Sequence, residues 1–93
     1  MDSDSRQLVI VEWRDIMQTS GWEPQEEVDC PVIRSVGWLI PQEDRKTIKI
    51  CNTLTLEDFD KNKEEKEYGI TAFPKGCITR LEFLSCEVRN IID

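Results

Sequence analysis

The chain contains no histidine. That removes the one side chain whose ordinary pKa lies near neutrality, and with it any Ser–His or Cys–His nucleophile. Its four glycines, Gly21, Gly37, Gly69 and Gly76, stand far apart, so no glycine-rich phosphate loop is present. No apolar run approaches the length of a membrane helix. The four cysteines, Cys30, Cys51, Cys77 and Cys86, include no C-x-x-C pair. Structural zinc draws on closely spaced ligand pairs, so no zinc site is expected. The polar, acidic start Met1-Asp2-Ser3-Asp4-Ser5 lacks the basic and apolar regions of a secretory signal. The expectation is a cytoplasmic protein with reduced, small, semi-buried cysteines.

What remains is 93 residues, enough for one domain with a thin core. Hydrophobic residues make up 39% and charged residues 33%, a globular mix rather than a disordered one. The net charge is −7, from 19 acids and 12 bases. Non-specific nucleic-acid binding draws its affinity from Lys and Arg on phosphates, so this balance argues against it. Oligomerisation is a natural way for so small a domain to bury more surface, and a homo-oligomer is expected.

Residues 1–7 carry no periodicity and read as a loose N-terminus, with a single β domain over 8–93. The β-branched and aromatic run Leu8–Trp13 predicts a first strand. Residues 17–31 read as a long loop, with Pro24 and the acids Glu26 and Glu27 opening at most a short helical turn. Val32–Ile40 predicts a second strand, with Arg34, Val36, Trp38 and Ile40 on one face and Gly37 marking a bend or a close backbone approach. Trp38 is expected in the core. Thr47–Leu56 alternates clearly as a third strand. The mixed-charge stretch 57–67 reads as a solvated connection. Tyr68–Phe73 and Cys77–Leu84 predict the fourth and fifth strands, joined by the tight turn Phe73-Pro74-Lys75-Gly76. Leu81 and Phe83 are assigned to the core face, and the apolar pair Ile91-Ile92 is a candidate for edge pairing.

Candidate chemistry is sparse. Glu12 with Asp15 is a candidate carboxylate pair, but acids on so acidic a surface are ordinarily solvated, and Glu57, Asp58 and Asp60 lack the spacing and central glycine of an EF-hand loop, so neither catalysis nor a metal is predicted. Three tryptophans are a high load for a small core; Trp22, beside Gly21 in a loop, is the candidate for stacking on a base or a partner side chain. Lys75 and Arg80, with Lys49 and Arg34, are the candidates for contacting an anion. The reading is a binding protein, not an enzyme, with no cofactor.

Two resemblances go with these residues. Five short strands with a tight turn before the last resemble the SH3/Sm-like small barrels, so the expected fold is mainly β, a small five-stranded barrel of that kind or a strongly bent antiparallel sheet. Trp13-Arg14-Asp15, Ser20-Gly21-Trp22, Ser35-Val36-Gly37-Trp38-Leu39 and Phe73-Pro74-Lys75-Gly76-Cys77-Ile78 occur in that order. This ordered set resembles a loose group of small phage-encoded proteins. The resemblance implies a phage accessory protein in the cytoplasm of an infected host. Its expected role is stoichiometric binding, either as an oligomeric sponge for a nucleotide-type immune signal or, alternatively, as an acidic inhibitor of a host protein or a structural phage oligomer. The stretch 57–67 looks longer than is usual for that group.

Overall fold

The computed structural model describes residues 6–41, 46–55, 66–85, 89 and 91–92. The expectation for the charged stretch 57–67 falls outside these residues except at its end.

Five strands form one antiparallel sheet: β1 (Leu8–Arg14), β2 (Val32–Ile40), β3 (Thr47–Leu54), β4 (Glu67–Pro74) and β5 (Ile78–Phe83). Their order across the sheet is β4-β3-β2-β1-β5. Four strands thus form a meander, and the last crosses back to lie beside the first. The predicted strands all form, with ends within about two residues of expectation. Gln25–Glu27 makes one 3₁₀ turn, starting after Pro24 as its fixed φ favours. A second 3₁₀ turn, Lys75–Cys77, separates β4 from β5.

The sheet is strongly bent rather than closed: β4 pairs only with β3, and β5 only with β1. Curling brings the end of β1 over β4, where the Trp13 and Phe73 rings meet at 5.5 Å between centroids and 56°. Val9, Val11, Ile50 and Phe73 form the buried cluster, with Trp13, Leu39 and Ile78 packed against it. The alternation of β1 puts Val9, Val11 and Trp13 on this inner face and Ile10 and Glu12 on the outer one. Trp13 is therefore a core residue. Trp38 is only partly buried and lies opposite Leu8 and Cys51 on the outer face, away from the main cluster. Leu81 and Phe83 stand opposite Val11 and Val9, on the expected inner face. They nonetheless remain 39% and 64% exposed, because they sit on an edge strand that nothing among the described residues covers.

Pairing between β2 and β3 runs only from Trp38 to Ile40 against Cys51 to Lys49. Beyond that point β2 continues on β1 alone and β3 on β4 alone, so the sheet splays into a V. Gly37 sits at its crotch: a Cβ there would lie 2.6 Å from the Cys51 carbonyl oxygen. The close approach read from the sequence is present, at the point where the β2–β3 pairing ends. Among the described residues no helix is long and apolar enough to cross a membrane.

Candidate functional site

The V opens into a hollow of about 290 Å³ on the inner face, lined by Ser35, Val36, Ile50, Cys51, Asn52, Gly69 and Thr71. The sequence makes it hollow by placing small or polar residues where neighbouring strands bury large ones. Ser35 and Gly37 share the inner face of β2 with Ile33 and Leu39. Asn52 takes the inward position after Ile50 on β3, and Gly69 and Thr71 precede Phe73 on β4. Gly69 has φ +69°, and a Cβ there would meet the Asn52 amide at 2.3 Å. Glycine thus both supplies the left-handed backbone and clears space for that amide.

The polar groups are arranged as donors. Trp13 Nε1 donates to Ser35 Oγ at 3.1 Å, which leaves the Ser35 hydroxyl proton to donate elsewhere. The Thr53 hydroxyl donates to Asn52 Oδ1 at 2.7 Å, which fixes the amide with its NH₂ as the remaining donor. Thr71 adds a hydroxyl, and it also lines a second hollow of about 220 Å³ together with Trp13, Arg14, Asp15, Ile16, Ala72, Phe73, Pro74 and Cys77. Thr71 is the one residue that lines both hollows. Taken together, and called the trough hereafter, they set hydroxyl and amide donors on one side of Thr71 and Trp13, packed on Phe73, on the other. Arg14 stands at the aromatic rim, where its Nη1 donates to the Cys30 carbonyl at 3.2 Å and lies 3.9 Å from Asp29.

The residues singled out from the sequence lie elsewhere. Trp22 is fully exposed in the loop between β1 and β2. Arg34 and Arg80 come together on the outer face because both stand opposite Glu12 in register. Arg34 Nε and Nη2 hold Glu12 Oε2 at 2.8 and 2.6 Å, and Arg80 Nη1 lies 3.7 Å from Glu12 Oε1. Arg80 also forks onto Glu82 at 2.7 and 2.8 Å. Both cations are thus occupied by carboxylates. The Arg34 hydrogen bonds hold Glu12 below the usual carboxylate range, and Arg80 does the same to Glu82. Lys49 lies on β3, opposite Ile40 and Ala72 and outside this cluster, and Lys75 starts the 3₁₀ turn, where its N–H donates to the Lys46 carbonyl.

Sequence reading passed over Ser35, Asn52 and Thr71. The signal was available: polar side chains at inward positions of strands whose other inward positions are apolar. What it did not reveal is that β2 and β3 part at Gly37, and that parting turns three polar residues into one wall.

Among the described residues no cluster of three or more His, Cys, Asp or Glu is arranged to hold a metal ion. Comparison with protein families, with characterised proteins and with solved structures finds no match to this chain.

Proposed function

We propose that this protein is a non-enzymatic binding protein whose trough holds a small, flat, acceptor-rich molecule of the nucleotide type. The observation that carries this reading is the placing of two unlike hollows on either side of Thr71: hydrogen-bond donors from Ser35 and Asn52 in one, and the partly buried Trp13 ring, packed on the buried Phe73, in the other. A heteroaromatic base presents ring nitrogens and carbonyls to donors and a π-face to an aromatic ring such as Trp13. Arg14 stands where an attached anionic group would emerge. The strand order and the 3₁₀ turn before β5 support the SH3/Sm-like reading of the fold. With the phage resemblance, the role that fits is a stoichiometric sponge for a nucleotide-type signal in an infected cell.

The test is a titration of the isotopically labelled protein with adenosine and guanosine monophosphates and a cyclic dinucleotide, followed by amide and indole NMR shifts. Saturable shifts at Ser35, Asn52, Thr71 and the Trp13 indole are expected, with the nucleotide recovered intact. Asn52→Ala and Thr71→Val are each expected to weaken binding about tenfold, the loss of one well-placed hydrogen bond. Unchanged affinity in both variants would remove the trough from the reading.

One observation favours the alternative of an acidic protein inhibitor. The loop from Asp15 to Pro31 carries five acids and no base. It also exposes Ile16 by 88%, Met17 by 52% and Trp22 by 106%. An aromatic anchor within a field of negative charge suits a basic protein surface. That reading predicts that Trp22→Ala abolishes co-purification of such a partner from host lysate, while nucleotide titration leaves the trough unshifted.

A further inference from the structure

We infer that β5 pairs with the β5 of a second copy, in one defined register, to make a two-fold dimer with a continuous ten-stranded sheet. The inference is independent of what the trough binds.

The direction of the free backbone groups follows from two hydrogen bonds. The Leu39 N–H donates to the Gln7 carbonyl, and the Leu84 N–H donates to the Leu8 carbonyl, each at 2.8 Å. Antiparallel ladders bond alternate residues to alternate sides, so the even-numbered residues of β1 face β5 and the odd-numbered ones face β2. On β5 it is then Arg80, Glu82 and Leu84 that bond to β1. The N–H and C=O groups of Leu81 and Phe83 point out from the sheet edge. No proline or glycine interrupts β5, whereas the other edge strand, β4, is kinked at Gly69 and ends on Pro74. An unbroken edge with exposed apolar side chains is the kind that recruits another strand.

The side chains then choose the occupant and the register. Leu81 and Phe83 lie on the inner face, while Arg80 and Glu82 lie on the outer face. A second β5, run antiparallel with Leu81 opposite its own copy, places each Arg80 opposite the other copy's Glu82. Leu81 exchanges both backbone bonds with its copy, and Phe83 comes opposite Thr79 at each end. Sliding by two residues one way puts Arg80 opposite Arg80; sliding the other way puts Glu82 opposite Glu82. Like charges directly opposite are destabilising and unlike charges stabilising, so one in-phase register is favoured. A contact in which each residue meets its own counterpart's partner is the signature of a closed two-fold interface. Thr79 sits at the bulge between Glu12 and Trp13, with its hydroxyl on the Glu12 carbonyl at 3.2 Å, so the bulge limits the ladder at that end. So short an interface suits a reversible dimer.

The experiment is sedimentation velocity on the full chain across concentrations up to about 100 μM, an ordinary range for a modest affinity. A monomer–dimer equilibrium is expected. Leu81→Pro removes an outward N–H without touching the bonds to β1, and is expected to give a folded monomer with an unchanged circular dichroism spectrum. Arg80→Glu and Glu82→Arg are each expected to weaken dimerisation about tenfold or more. An equimolar mixture of these two variants is expected to recover the dimer, because every cross-strand pair is again unlike. This recovery separates pairing from a general loss of folding. A monomeric wild type, a dimer that survives Leu81→Pro, assemblies larger than a dimer that point to head-to-tail β4–β5 contacts, or a mixture that fails to associate would each overturn the inference.

Discussion

At the scale of single residues, two glycines separate a steric requirement from a conformational one. Gly37 has an ordinary strand conformation, but a Cβ there would press on the Cys51 carbonyl at 2.6 Å and on the Ile50 Cβ at 3.2 Å. Backbone cannot swing aside, so Gly37→Ala is expected to cost roughly 2 kcal/mol or more by overpacking. At Gly69 the obstacle is the far end of the Asn52 side chain, which can shift by giving up its hydrogen bond from Thr53, and the main cost is the left-handed φ, about 1–2 kcal/mol. Urea unfolding should therefore rank Gly37→Ala as the more damaging change; the reverse order would mean that the V in the sheet is not held at Gly37. The sequence pointed to Gly37 as a close approach, but nothing in it marked Gly69, whose need comes from the partner strand. The cysteines give a second test at this scale. Burial pushes the Cys51 thiol above its usual range, while Cys30 and Cys77 are exposed. Native alkylation followed by peptide mass analysis should modify Cys30 and Cys77 and reach Cys51 only after unfolding.

At the scale of elements, the outer face of β1, β2 and β5 carries a cross-strand row in which Arg34 and Arg80 flank Glu12. Glu12 and Glu82 titrate below their ordinary value near 4.5 in the folded chain. A carboxylate with a lowered folded pKa stabilises the fold above its unfolded pKa and loses that contribution as pH falls through the folded value. Thermal unfolding should be level from pH 7 to about 5 and should fall below about pH 4.5. Glu12→Gln is expected to flatten the acid limb, and about 1 M salt should shrink it, since the row is solvent-accessible; an acid limb identical in the variant would assign the transition to other groups. All five strands were legible, because β-branched and aromatic runs alternate between turn residues in each. The pairing order was not, since it depends on contacts far apart in sequence. Nor was the candidate site: Arg34 and Arg80 were read as free cations because their neutralising partner, Glu12, lies on a different strand and becomes their neighbour only through the register.

At the scale of the whole molecule, one open sheet leaves a good deal of apolar surface uncovered. Only Val9, Val11, Ile50, Cys51 and Phe73 are buried hydrophobics among the described residues, while Tyr68, Ile70, Leu81 and Phe83 stand exposed on the two edge strands. A core this small leaves little margin, so Val11→Ala, deleting two methyl groups from a fully buried position, is expected to cost about 1–3 kcal/mol and to lower the urea midpoint without changing the slope. The same bent sheet carries an unbroken edge at β5, the place of the proposed pairing, and a donor-lined trough, the place of the proposed ligand. The length and the strand pattern made a small, mainly β fold legible from the sequence, whereas the polar wall of Ser35, Asn52 and Thr71 exists only because two strands diverge. Binding without turnover in the trough stands or falls on the nucleotide titration followed by NMR. Saturable shifts confined to Ser35, Asn52, Thr71 and the Trp13 indole are expected, with intact nucleotide recovered at the end. No shifts at these positions with any of the three nucleotides, or recovery of a converted nucleotide, would contradict it.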